Sequence, residues 1–199
     1  MKKLLVYGGA FNPPHLGHER ILQAGIDFIH PDAALVLPSC ISPHKQVSGV
    51  PLGIRALMCR VFEKIDPCVR ISLLERAGRH DKSYTLKTLI RLKKIYKDTE
   101  LFLLIGSDML VTFEEWHRFR RILPLATLIA ASRTGDDHMA LERECARLKR
   151  MRGRVLLLDY DPLPMSSSEI RRIYSEGKDA REMLDPYVAD IIDKFGLYR

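Results

Sequence analysis

Tryptophan occurs once in the 199 residues, and the four cysteines form no C-x-x-C pair and have no histidine at zinc spacing. A disulfide framework and a structural zinc site are thereby set aside, and Cys40, Cys59, Cys68 and Cys145 read as reduced, structural thiols. No apolar run approaches the ~20 residues that a bilayer-crossing helix needs. The start, Met1-Lys2-Lys3 followed by Leu4–Tyr7, has the outline of an export signal. Its apolar stretch stops at Gly8-Gly9 with no small-residue cleavage site after it, so it reads as a first buried strand of a cytoplasmic protein. Internal repeats, low-complexity stretches and Pro/Gly/Ser linkers are missing, and residues 1–199 are read as one domain. There is no G-K-[ST] of a P-loop, which argues against kinase or ATPase chemistry.

The chain is 46% hydrophobic with a formal charge of +7, which suits an anionic partner: a nucleotide, a nucleic acid or an acidic surface. Much of the excess lies in Arg143–Arg154, which reads as a solvated helix face. That stretch lacks the interleaved aromatics that stack on bases, so no nucleic-acid partner is expected.

Short runs rich in Leu, Ile and Val recur at Leu4–Tyr7, Ala34–Leu37, Val69–Leu73, Leu101–Ile105, Thr127–Ala131 and Val155–Leu158. They do not alternate with polar residues, the pattern of strands buried on both faces. Helical periodicity fills the intervals, as in Leu16–Ile29, Gly53–Ile65 and Thr85–Lys97, the last with Leu86, Leu89, Ile90 and Ile95 along one face. Asp185-Pro186 opens a further helix running to about Phe195. Strand–helix alternation predicts an α/β, Rossmann-like, doubly wound and mostly parallel sheet with helices on both faces and a C-terminal helical segment. Ligands of such sheets sit beyond the carboxyl ends of the strands, where the strand order reverses.

The first strand runs into Gly8-Gly9-Ala10-Phe11-Asn12-Pro13-Pro14-His15-Leu16-Gly17-His18. Glycines let a backbone approach a bulky anion, and the prolines stiffen the turn before a helix. His15 and His18 are three apart, on one face of that helix's first turns, beside free N–H groups and a positive dipole that attract phosphate. A metal site is disfavoured because no third ligand accompanies the pair, and no metal is assigned. Strand, Gly-Gly, Pro and paired histidines together point to phosphate chemistry.

This run resembles the G-G-x-F-[DN]-P-x-H-x-G-H signature of the nucleotidyltransferase superfamily. From Leu4 to Arg199 the chain is similar to the bacterial nicotinate-nucleotide adenylyltransferases. The resemblance implies transfer of AMP from ATP, carried with Mg²⁺, to nicotinate mononucleotide, with pyrophosphate leaving and no covalent enzyme intermediate. Nicotinamide mononucleotide or another phosphorylated acceptor is the alternative within the same chemistry. A non-catalytic nucleotide binder or RNA-binding module is the rival from another class, expected to lack one of His15, His18 or Arg171.

The resemblance also distributes roles. Gly8, Gly9, Ala10, Phe11, His15 and His18 would surround ATP, and Lys45, with His44, in the L-P-x-x-x-x-P-H-K run after the second strand would touch the triphosphate. Thr85 could simply cap the third helix; the family's S-Y-T-x-x-T-L run adds that Thr85 and the amide of Leu86 face the pyridine carboxylate. Lys87 stands there in place of the family's usual Asp. Gly106 and Asp108 close the fourth strand, with Asp108 able to accept from ribose hydroxyls, and the resemblance implies that Trp116, next to His117, stacks on the pyridine. Arg133 after the fifth strand would lie near the adenylate. In Ser166-Ser167-Ser168-Glu169-Ile170-Arg171-Arg172, a capping box of Ser166 and Glu169 starts a helix. Ser167, Ser168, Ile170 and Arg171 complete the ATP site by resemblance, and Arg172 is read as surface. His15, His18, Lys45 and Arg171 are the catalytic candidates. A homo-oligomer is neither implied nor excluded.

Overall fold

Successive residues of a strand point to opposite faces, so a strand covered by helices on both sides must be apolar throughout. The computed structural model, which describes residues 1–39, 49–75, 84–132 and 138–199, meets this with six strands. These are β1 (Lys2–Gly9), β2 (Ala33–Pro38), β3 (Val69–Ile71), β4 (Thr99–Gly106), β5 (Thr127–Ser132) and β6 (Val155–Asp159). Every pairing is parallel, and the order is β3-β2-β1-β4-β5-β6. The strand order therefore reverses between β1 and β4.

Seven α-helices are described: α1 (Leu16–Ile29), α2 (Leu52–Cys59), α3 (Thr85–Ile95), α4 (Ser107–Val111), α5 (His138–Arg150), α6 (Ser167–Ser175) and α7 (Pro186–Phe195). The alternation of β1 sorts them into layers. Leu5 and Tyr7 belong to a core shared with Leu22 and Ile26 of α1, Met58 of α2, Ile170 of α6 and Val188 of α7. Leu4 and Val6 belong to the opposite core with Leu89 of α3, Leu110 of α4 and Leu148 of α5. The expected doubly wound sheet is what forms.

Departures from the sequence reading follow from edges and ends. β3 stops at Ile71 and leaves Leu73 exposed, and in the edge strand β6 Leu156 faces solvent. The helix expected through Ile65 ends at Cys59 and continues as a 3₁₀ turn over Arg60–Lys64. Ile95, at the end of α3, is exposed, and Leu92 takes its place on the buried face. The basic stretch behaves as a solvated face: Leu141, Cys145 and Leu148 point inward while Arg143, Arg147 and Arg150 are exposed. Cys59, Cys68 and Cys145 are free thiols, and burial pushes all three toward the neutral form.

The C-terminal segment is anchored through charge. Asp185 caps α7 by accepting the Tyr187 N–H at 2.7 Å, and Lys64 lies 3.1 Å from its carboxylate. Glu19 of α1 packs beside this pair with Oε1 buried and without a hydrogen-bond donor among the described residues. Burial, with help from Asp185 and against Lys64, raises the Glu19 pKa from its usual 4.5 to about 7. The unfolded chain therefore gives up this proton first. Folding loses stability as pH climbs from about 4.5 to about 7, and the loss levels off above that. Glu19→Gln is expected to match the wild type in urea midpoint near pH 4 and to exceed it at pH 8; parallel pH profiles for the two proteins would refute this.

Candidate active site

The chain crosses from one face of the sheet to the other between β1 and β4, which leaves a crevice beyond their carboxyl ends. A cavity of about 670 Å³ occupies it, large enough for a nucleotide. Its walls come from the loop after β1, the start of α1, the start of α3, the end of β4 with α4, the turn carrying Trp116, and the start of α6.

The loop after β1 is held in an unusual shape. Phe11 has a positive φ of 46° although it carries a side chain, a conformation that surrounding contacts must enforce. Its ring is buried, with centroids 5.3 Å from those of Tyr7 and Phe62 and 5.2 Å from that of His18. Gly9 makes room for that ring, since a Cβ there would lie 2.8 Å from it. At this position the absent side chain serves the protein's own aromatic packing, whereas at Gly8 the space is open as a phosphate cradle requires.

His15 sits one residue before α1 as its N-cap and His18 is its third residue, so the pair straddles the helix start. The rings lie 3.7 Å apart, centroid to centroid. The backbone N–H of His15 donates to Nδ1 of His18 at 3.2 Å. Neutral His18 therefore carries its proton on Nε2, on the far side of the ring from that bond. Both rings line the cavity.

The last sequence motif closes on the first. Ser166 accepts the Glu169 N–H at 3.1 Å and caps α6. Ser167 donates its hydroxyl to the Pro13 carbonyl at 2.8 Å, and Arg171 donates to the Asn12 carbonyl at 2.8 Å and to Ser168 Oγ at 3.1 Å. Met165 Sδ accepts the Gly17 N–H at 3.3 Å. Ser167, Ser168 and Arg171 thus line the cavity while fixing the neighbouring loop.

The opposite wall is aromatic and polar. Thr85, Trp116, His117 and Asp108 line it as expected. Tyr84, not Thr85, is the N-cap of α3, which leaves Thr85 in the first turn facing the cavity. Trp116 is half-buried against Phe113, 5.2 Å between centroids, and His117 lies on Tyr84 at 4.4 Å. Gly106 has no Cβ because Asp108 folds back over it: a Cβ there would stand 2.6 Å from Oδ1. Thr88 donates to Glu75 at 2.9 Å, and both border the same space.

The side chains of Leu86 and Ile170 are buried in the two cores and do not line the cavity; for Leu86 the expectation concerned the backbone amide, which side-chain burial leaves open. Lys45, His44 and Arg133, along with Cys40, lie outside the described residues. Sequence reasoning missed Tyr84, Glu75, Thr88, Ser39, Asn12 and Tyr160 as wall residues, and Arg55 and Tyr198 as residues behind the wall. The Tyr84 and Thr88 positions were readable from the S-Y-T-x-x-T-L run; Arg55 and Tyr198 carried no local signal.

Comparison with known proteins shows the family. The cytidylyltransferase-like family model matches residues 6–173, and the chain belongs to that family of nucleotidyltransferases. Within it, the chain is 30% identical over 193 residues to a probable nicotinate-nucleotide adenylyltransferase of Fusobacterium nucleatum, covering 96% of this chain and 97% of that one. A protein of the same description from Thermomicrobium roseum is 32% identical over 200 residues, covering 100% and 92%. Among solved structures, Plasmodium falciparum nicotinic acid mononucleotide adenylyltransferase complexed with NaAD superposes with a TM-score of 0.80 at 19% identity, covering 100% of this chain and 98% of that one. At that identity the structure bears on the fold.

Tyr198 gives the geometry a test. Its hydroxyl donates to Oδ1 of the buried Asn12 at 2.7 Å, and burial holds the phenol far above its usual pKa, opposed by Arg171 and Arg55. It therefore stays a donor. Tyr198→Phe is expected to cost about 1 kcal/mol, read as a lower urea midpoint at unchanged m. An unshifted midpoint would remove this bond from the list of contacts that hold the loop.

Proposed function

We propose that the cavity between β1 and β4 binds ATP and the pyridine mononucleotide together, with the phosphate chemistry at the His15–His18 corner. The protein is a nucleotidyltransferase: it passes AMP from ATP to nicotinate mononucleotide, giving nicotinate adenine dinucleotide and pyrophosphate. The observation that supports this siting most directly is the convergence of His15, His18 and Arg171 at one end of the cavity, with Trp116, His117 and Thr85 in the same space.

The acceptor's phosphate is already an anion, so no protein nucleophile is needed. One of its oxygens attacks the α-phosphorus in line, the bond to the bridging oxygen breaks, and pyrophosphate leaves with the electron pair. The protein aligns the reactants and stabilises negative charge on the α-phosphoryl and leaving groups. In this proposal His18 offers Nε2–H and Arg171 a fixed positive charge, while His15 and the start of α1 add donors beside them. Gly8, Gly9, Ala10, Phe11, Gly106, Ser167 and Ser168 form the ATP walls, and by resemblance Lys45 and Arg133, outside the described residues, contact the nucleotide. Thr85, Trp116, His117 and Asp108 border the acceptor.

Magnesium enters as part of the substrate, Mg-ATP, held by phosphates and water. Among the described residues no group of three or more His, Cys, Asp or Glu is placed to hold a metal, and the donors at the corner are of the kind that bind phosphate oxygens. No helix among the described residues is long and apolar enough to cross a membrane. A cytoplasmic location, one domain, and no nucleic-acid partner belong to the proposal.

Pyrophosphate release from Mg-ATP is expected with nicotinate mononucleotide and far less with nicotinamide mononucleotide. Equal use of both would make the acceptor assignment too narrow. His18→Ala is expected to lower kcat by on the order of 10²–10³ while lowering the melting temperature only by the few degrees that its lost contacts to Phe11 and His15 imply. Normal turnover by that variant would move the chemistry away from the histidine corner.

A further inference from the structure

Arg55 is only 1% exposed, among the deepest side chains in the molecule, yet it carries a permanent charge. It also lies in the first turns of α2, where the helix dipole disfavours a cation. Two costs fall on one residue, so its partners must supply something that an apolar side chain could not. Among the described residues its guanidinium donates to main-chain carbonyls: Nε to Val50 at 3.2 Å, one terminal nitrogen to Ala10 at 2.6 Å and the other to Ser39 at 2.8 Å.

The positions of those carbonyls are informative. The β1–β2 ladder ends where Gly9 stands opposite Pro38, with a last bond from Ser39 N–H to the Gly9 carbonyl at 2.9 Å. Ala10 and Ser39 supply the next carbonyls on each side, and both residues line the cavity. The guanidinium stands in for the next rung and sets the separation of the main chain at Ala10 and Ser39. Carbonyl and N–H point in opposite directions across a trans peptide. Holding the Ala10 carbonyl on Arg55 therefore turns the Phe11 N–H away from the guanidinium.

We propose that Arg55 is a positioning residue for the phosphate end of the active site, fixing the separation of the main chain at Ala10 and Ser39, where both border the cavity. The inference rests on the nucleotidyltransferase reading of that site. It acts through the main chain at Ala10 and Ser39 and does not touch substrate. A lysine keeps the charge but cannot span three carbonyls with a planar fork.

The test compares Arg55→Lys, Arg55→Ala and Met58→Ala. Met58 is fully buried on the same helix and faces the core, so its truncation is a control for loss of stability alone. Arg55→Lys is expected to lower kcat/KM for Mg-ATP by on the order of ten- to a hundredfold, as loop misplacement does. KM for nicotinate mononucleotide, bound at the far wall, should stay within about twofold. Arg55→Ala should lose at least as much and regain part of it, saturably, on addition of guanidinium ion. Met58→Ala, assayed below its melting temperature, should show neither effect.

Equal losses for both substrates, the same loss in Met58→Ala, or near-normal Arg55→Lys would each overturn the proposal. So would failure of both Arg55 variants to fold at assay temperature, which would assign the residue to the fold alone. Wild type assayed in parallel separates this inference from the function beneath it. If wild type releases no pyrophosphate, the reaction is wrong. The same comparison then runs on Mg-ATP affinity by calorimetry, where Arg55→Lys should bind about tenfold more weakly than Met58→Ala.

Discussion

The short loop from Ala10 to Pro14 keeps its shape because three donors from two other helices, α2 and α6, hold its carbonyls. Arg55 holds that of Ala10, Arg171 that of Asn12 and Ser167 that of Pro13. Tyr198 adds a bond to the Asn12 side chain, and the Phe11 ring is wedged among Tyr7, Phe62 and His18. Each bond ties up an acceptor on the protein side of the loop. A loop whose acceptors are engaged behind it can turn donors outward, which is what an anion site requires. The left-handed Phe11 is a local cost met by this surrounding network.

The same network explains why the site sits between β1 and β4 and how the two halves of the chain are joined there. The contacts from Ser167, Arg171 and Tyr198 to residues 12 and 13 span 154, 159 and 186 positions. Parallel strands with crossover helices leave the ends of β1 and β4 open at the point of reversal. α6 and the segment after α7 then return to the loop from the β1 side. The phosphate corner is thus complete only when the C-terminal part has docked, so the capping of α7 by Asp185 supports the site at a distance.

Much of this was legible in the sequence. Six apolar runs without alternation became six parallel strands because burial on both faces leaves that composition little other use. α1 and α7 appear with their expected limits, since Pro, Asp and Gly mark their ends with backbone chemistry that is local. The predicted residues that line the cavity lie in contiguous motifs: Gly8–Phe11, His15, His18, Thr85, Gly106, Asp108, Trp116, His117, Ser167, Ser168 and Arg171. What stayed hidden was long-range. Arg55 reads as an ordinary surface cation within a helix, and only the ladder's end beneath it gives it a place. Ile170 shows the reverse: motif membership put it in the site, and helical geometry turned its side chain into the core.

Rigidity matters more here than in an enzyme that forms a covalent intermediate. A nucleophilic side chain can rotate into its task, but a reaction between two bound phosphates depends on how accurately both are held and on donors already aimed at the developing charge. Water would otherwise have to reorganise around each oxygen as the pyrophosphate leaves. His18 illustrates the solution: its Nδ1 is occupied by the N–H of His15, so ring orientation and proton placement are set by the backbone of the helix start. Arg171 is likewise oriented by Asn12 and Ser168 while its charge borders the cavity. In both cases a group proposed to meet phosphate is first fixed by the protein's own main chain, which converts the cost of burial and strain in the loop into alignment at the reacting atoms.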